Sequence, residues 1–205
     1  IAFDLRHDQS LLYVVIGLMI GLTVNFWPAP LSLAAIIAVI FLVSQSFRDN
    51  QTIHLVRNFF GVLSVVDSSD GQYRGLWHGT TSQGTQHVRD EDGNLIKGRP
   101  EMISEFFEGA GIDQVFKAVQ AKKHGPIDYA VIGLGTGSLA CQRRPGDKLT
   151  YYEIDPDIVR IASDPKLFSF VPECAPDAPI VIGDARLKIA DAPDASYDLI
   201  VIGGG

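Results

Sequence analysis

The sequence predicts an α/β protein built on a parallel sheet. Three observations carry that reading. Short apolar strands recur from residue 129 onward, each ends in glycine or an acid, and the stretches between them carry helix signals. Strand–helix alternation of this kind implies parallel pairing, with ligands received at the C-terminal ends of the strands.

Tyr129-Ala130-Val131-Ile132 is the first such strand and runs directly into Gly133-Leu134-Gly135-Thr136-Gly137. Gly133, Gly135 and Gly137 permit a tight turn and close backbone approach to a ligand. A helix beginning near Ser138 would aim its positive end at that ligand. Leu149 to Asp155 forms the second strand, and Glu153 lies 20 residues after Gly133, the spacing at which a carboxylate reaches ribose hydroxyls. Asp155-Pro156 suits a helix cap and first position, with Ile158 to Ala162 continuing the helix. Pro179 to Ile182 is a third strand, ending at Gly183-Asp184-Ala185, and Tyr197 to Ile202 is a fourth. Together these features read as a Rossmann-like nucleoside-binding fold. The dinucleotide fingerprint places glycines at relative positions zero, two and five. Here they fall at zero, two and four, with Ser138 in the last slot, which disfavours NAD and FAD. No Walker-type lysine follows, which disfavours a P-loop nucleotide.

The preceding stretch is β-rich: Phe59 to Val66 reads as a strand, Asp67 to Gln72 as a turn, and Tyr73 to His78 as a returning strand. Asp113 to Lys123 carries helical spacing and closes at Lys122-Lys123-His124-Gly125. The N-terminal part is different again. Leu11 to Trp27 and Leu31 to Val43 are apolar runs separated by Pro28-Ala29-Pro30, each near the short end of the ~17–25 residues a spanning helix needs. They read as a transmembrane helical hairpin. Arg6 and Arg48 flank it on one side, with Arg57 beyond, which places that side and the following domain in the cytoplasm. The expected organisation is a hairpin at 1–50, a small connector at 51–124 and the nucleoside-binding domain at 125–205. That last domain is read as truncated, because the chain stops at Gly205 just after the fourth strand.

Composition narrows the function classes. Hydrophobic residues make up 46% of the chain, with mean hydropathy +0.15. Residues 58–205 hold 21 acids against 14 bases and account for all of the −7 net charge. Such a domain repels phosphate backbones, so nucleic acid is excluded as a partner, whereas a cationic polyamine is not. Cys141 and Cys174 show no disulfide framework and no metal spacing, and are expected to be buried reduced thiols. His7, His54, His87 and His124 show no ligand spacing, so no metal is expected.

The sequence resembles the polyamine aminopropyltransferase (spermidine synthase) family, in particular its membrane-fused bacterial branch. The resemblance rests on Arg57-Asn58-Phe59-Phe60-Gly61-Val62, His78-Gly79-Thr80-Thr81, Gln86, Asp113-Gln114-Val115-Phe116, Gly133 to Ala140, Tyr152 to Pro156 and Gly183 to Leu187. It implies a fold of the class I S-adenosylmethionine-dependent transferase type, and decarboxylated S-adenosylmethionine or S-adenosylmethionine as co-substrate, without a metal. It implies that Glu153 holds the ribose, that Asp184 and Ala185 contact the adenine, and that the glycine turn packs on the nucleoside. It also points to Gln86, Gln114 and His78 as contacts for a polyamine substrate such as putrescine, and leaves homo-oligomerisation open. Departures are equally specific. Thr136 stands where the family carries an Asp, Phe106-Phe107 replaces a hydroxyl-bearing pair, Gln83 replaces a His, and Gly203 stands at the place of the catalytic Asp, so no catalytic residue is assigned and this stretch by itself is expected to bind weakly and turn over little. Three readings therefore stay open: aminopropyl transfer, methyl transfer from S-adenosylmethionine, and a membrane-tethered nucleoside or polyamine binder without chemistry.

Overall fold

The computed structural model describes residues 17, 21, 33, 36–38, 51–103 and 106–203. The chain divides into two compact units, Ile1–Asn50 and Gln51–Gly205. In the first, the six described residues are helical, and Leu33 and Ile37 are exposed. The hairpin predicted over 11–47 falls largely outside the described residues. Among those described, no helix is long and apolar enough to cross a membrane.

The second unit holds two sheets. Strands β1 (Gln51–Asn58), β2 (Gly61–Asp67), β3 (Tyr73–His78) and β4 (Thr81–His87) form an antiparallel meander in that order. Alternation on β2 and β3 buries Leu63, Val65 and Leu76 on one face, as expected for a sheet with one solvated side. The strand predicted over Phe59–Val66 is in fact cut at its start. Phe59-Phe60 is the β1–β2 turn, because the Asn58 side-chain oxygen accepts from Phe60 N at 2.8 Å and Gly61 N at 3.2 Å. β4 has no apolar residue at all. It exists because β3 offers it a ladder.

Helix α1 (Gly111–Lys123) follows and ends on His124 in the left-handed region, φ 55°. Its buried Phe116 packs edge-on against Tyr129 with centroids 4.9 Å apart. The parallel sheet is then built from β5 (Asp128–Ile132), β6 (Lys148–Glu153), β7 (Ile180–Ile182) and β8 (Leu199–Ile202), in the order β7-β6-β5-β8. Helices α2 (Pro156–Ser163), α3 (Phe170–Cys174) and α4 (Ala185–Ala190) lie between the strands. This is the Rossmann-like α/β arrangement. Chain order runs outward through β5, β6 and β7, then β8 returns to the other side of β5, and that reversal opens a crevice above the strand ends. The two sheets share one core, in which Leu63, Val65 and Leu76 pack with Phe116, Tyr129, Tyr151 and Val201.

Two expectations are corrected. The helix expected after Ser138 is a 3₁₀ turn, η1 (Ser138–Gln142), with all five residues buried. Pro145-Gly146 lies too close behind it for an α-helix to develop, so no helix dipole of useful length points at the crevice. The cysteines are not reduced thiols. Cys141 at the end of η1 and Cys174 at the end of α3 form a disulfide, with Cα atoms 5.0 Å apart. Their separation of 33 residues hides in sequence what η1-on-α3 packing brings together.

Candidate functional site

The glycine turn joins β5 to η1 at the crevice. Its backbone continues the sheet: Gly133 N donates to Tyr152 O at 2.8 Å, and Gly203 N to Ile132 O at 2.9 Å. Gly133, Gly135 and Gly137 all have positive φ (86°, 54° and 82°). A Cβ on Gly133 would sit 2.7 Å from Gly203 O, one on Gly135 2.5 Å from Gln83 O, and one on Gly137 2.4 Å from Val171 Cγ2. The glycines therefore admit close approach of the end of β8, of β4 and of α3. From beneath, the buried Tyr151 hydroxyl donates to Gly137 O at 3.2 Å. Burial pushes that phenol well above its ordinary pKa, so it remains a neutral donor.

Glu153 closes β6 and is 5% exposed. One carboxylate oxygen accepts from Leu134 N at 2.7 Å, inside the glycine turn, and the other from Asp155 N at 2.9 Å. Each oxygen keeps a further lone pair. Asp155 is the cap of α2, accepting from Asp157 N at 2.8 Å. Asp184 stands after β7, exposed, as the cap of α4, accepting from Arg186 N at 2.9 Å, and Ala185 begins that helix. Gly183 N donates to Glu153 O at 2.9 Å, so Asp184 follows within one residue of the β6 end.

The crevice is an open cleft bounded by β4 through Ser82 and Gln83 and by β5 and its turn through Val131, Gly133, Leu134 and Gly135. Ser138 and Leu139 of η1, Phe106 and Gly203 complete it. Gly133 and Gly135 thus reach the cleft, Gly137 packs under α3, and Glu153 stands behind Leu134. The three residues expected to meet a polyamine are placed elsewhere. His78 Nε2 pairs with Phe60 O at 2.7 Å at the hairpin ends. The Gln86 carboxamide is taken up by Ser169, donating to its hydroxyl at 2.7 Å and accepting from its amide at 2.9 Å. Gln114 donates to Gly109 O at 3.1 Å on the exposed side of α1. Thr136 does not face the cleft either: it is 1% exposed, and a Cβ on Gly84 would meet its hydroxyl at 2.4 Å. Ser82 gave no sequence signal, since it lies on a strand without apolar alternation. Among the described residues no cluster of three His, Cys, Asp or Glu side chains is arranged to hold a metal ion.

Fold and site define a Rossmann-like α/β domain with a glycine turn, an acid at the end of the second parallel strand, and a small antiparallel sheet laid against the same core. Among solved structures the chain is similar to spermidine synthase from Thermotoga maritima and to a spermidine synthase in complex with the transition state analogue AdoDATO. Each is 16% identical with a TM-score of 0.45, over 75% of this chain and 47% and 48% of those chains, respectively. The chain thus spans about half the length of either. No protein-family profile and no curated protein matches it.

Proposed function

We propose that the cleft binds the nucleoside of an S-adenosylmethionine-type ligand, and that the protein transfers an aminopropyl group from decarboxylated S-adenosylmethionine to a diamine such as putrescine. One observation supports this above the rest: Glu153 is locked to the Leu134 amide beside the glycine turn, at the position where a carboxylate accepts ribose hydroxyls. In this reading Glu153 holds the ribose, Asp184 and Ala185 lie at the adenine, and Leu134 packs on the nucleoside. The reacting end lies between Ser82, Gln83, Phe106 and Gly203. The diamine nitrogen attacks the carbon beside the sulfonium, the C–S bond breaks to leave a neutral thioether, and the amine proton passes to a base. Because Gln86 is committed to Ser169, the diamine contact falls to the β4 residues of the cleft.

A second reading, nucleoside binding without chemistry, is favoured by Phe106, which brings a bare ring to the cleft. Methyl transfer shares the nucleoside half and differs in the tail: the carboxylate of S-adenosylmethionine requires a donor, whereas the decarboxylated amine requires an acid. Calorimetric titration with both ligands and with methylthioadenosine separates the three. Tighter binding of the decarboxylated form supports aminopropyl transfer, tighter binding of the carboxylated form supports methyl transfer, and binding without turnover of putrescine supports the binder.

We infer membrane attachment from the apolar runs at 11–47, with the domain on the cytoplasmic side from Arg6 and Arg48. The Cys141–Cys174 bridge weighs against that side, since disulfides persist in oxidising compartments. Protease accessibility of the domain in sealed inverted vesicles decides it, digestion supporting the cytoplasmic side.

A further inference from the structure

Asn58 lies at the end of β1, far in sequence from the parallel sheet, yet it touches the cap that follows β6. Its carboxamide is divided between two tasks. The oxygen closes the β1–β2 turn by accepting from Phe60 N and Gly61 N. The NH₂ group donates to both oxygens of Asp155, at 2.7 and 2.8 Å, and to Asp157 at 2.8 Å. Asp155 is 2% exposed, so its carboxylate depends on donors within the protein. The other donor to Asp155 is the Asp157 amide of the cap itself, and the Asp157 carboxylate also pairs with Arg160.

The Asp155 backbone amide in turn donates to one oxygen of Glu153, whose other oxygen accepts from Leu134 N. A continuous path therefore runs from the β1–β2 hairpin through Asp155 and Glu153 to the glycine turn. Without the Asn58 donor, the Asp155 and Asp157 carboxylates would face each other across the cap. The Asp155 carboxylate would then be pushed out of the cap it makes with Asp157 N, and the Asp155 amide, which donates to that oxygen of Glu153, would lose the orientation the cap fixes.

We propose that Asn58 is a positioning residue for nucleoside recognition, setting the Glu153 carboxylate through the Asp155 cap. This rests on the assignment of Glu153 to the ribose. The test is a double-mutant cycle in the full chain, with methylthioadenosine as the probe. Asn58→Ser keeps an oxygen for the turn amides and removes the NH₂ group that reaches Asp155 and Asp157, the Ser hydroxyl being spent at the shorter reach of the turn. It should weaken binding about fivefold, the worth of one hydrogen bond. Asn58→Asp keeps the turn and adds a third carboxylate, and should weaken binding more. In a Glu153→Gln background both losses should shrink below about twofold, because a residue acting through Glu153 has nothing left to set. Hydrogen exchange at the Leu134 amide should quicken in both variants while the β2 and β3 amides keep their protection.

An equal loss in both backgrounds, or no loss in the native one, makes Asn58 structural only and overturns the proposal. Unchanged binding by Glu153→Gln alone removes the ribose assignment, and the proposal with it. Should Asn58→Ser fail to fold, Asn58→Asp is the variant taken round the cycle, with the same outcomes.

Discussion

The disulfide is the feature whose removal has the most calculable consequence. Cys141 and Cys174 are 33 residues apart. In the chain-entropy description, closing a loop of that length takes about 12 cal/mol/K from the unfolded state, or about 3.7 kcal/mol at 25 °C. Cys141→Ala/Cys174→Ala should therefore destabilise the domain by about 3–4 kcal/mol. With a urea slope of about 2 kcal/mol/M, the midpoint should fall by roughly 2 M. Urea unfolding of the native chain and the double variant, followed by far-UV circular dichroism, measures this directly. The bridge also ties η1 to α3, and η1 supplies Ser138 and Leu139 to the cleft, so methylthioadenosine binding should weaken in parallel. A loss below about 1 kcal/mol would refute the entropic reasoning, and two free thiols by mass spectrometry of the native protein would refute the bridge.

Glu153→Gln should weaken adenosine-type ligands about ten- to a hundredfold. It should also cost about 1–3 kcal/mol of stability, because the Leu134 or Asp155 amide would then face an NH₂ group. Calorimetry and a thermal melt separate the two effects. Gly84→Ala places a methyl 2.4 Å from the Thr136 hydroxyl at φ 128°, and should destabilise by about 1–3 kcal/mol. A melt unchanged from the native chain would show that β4 moves freely from the turn. On the alkaline side, burial and then the bond to Tyr197 push Tyr152 from 10.0 up to about 12, and burial raises Tyr129 and Tyr151 as well. A phenol whose folded pKa is raised contributes stability that is whole below its unfolded value and lost as pH rises through the folded one. Stability should hold to about pH 10 and fall between about pH 10 and 12. Phenolate absorbance at 295 nm should then appear together with loss of near-UV dichroism, and ionisation of all tyrosines in a still-folded chain would contradict it.

The parallel sheet was legible because its strands carry short, largely apolar runs, punctuated by glycine and capping residues whose backbone roles are local. Gly133 to Gly137, the Asp155-Pro156 cap and the end of α1 at His124 could be read from neighbouring residues, since each depends on residues within a turn or two, while Glu153 stood out by its 20-residue spacing from Gly133. β4 could not. Thr81–His87 shows no alternation, and it is a strand only because β3 lies beside it. Nor could the fate of side chains whose partners are distant: Gln86 on Ser169, Asn58 on Asp155, and Cys141 on Cys174 lie 83, 97 and 33 positions apart. Sequence by itself determined which residue types stand at the strand ends and which backbone conformations the glycines allow, because these follow from local sterics and from burial along one strand. Only the tertiary structure decided what those residues touch. Packing of the antiparallel sheet against the same core brings β4 onto the glycine turn and the β1–β2 hairpin onto the α2 cap. Whether a glycine makes room for a ligand or for the protein's own backbone depends on which element arrives there.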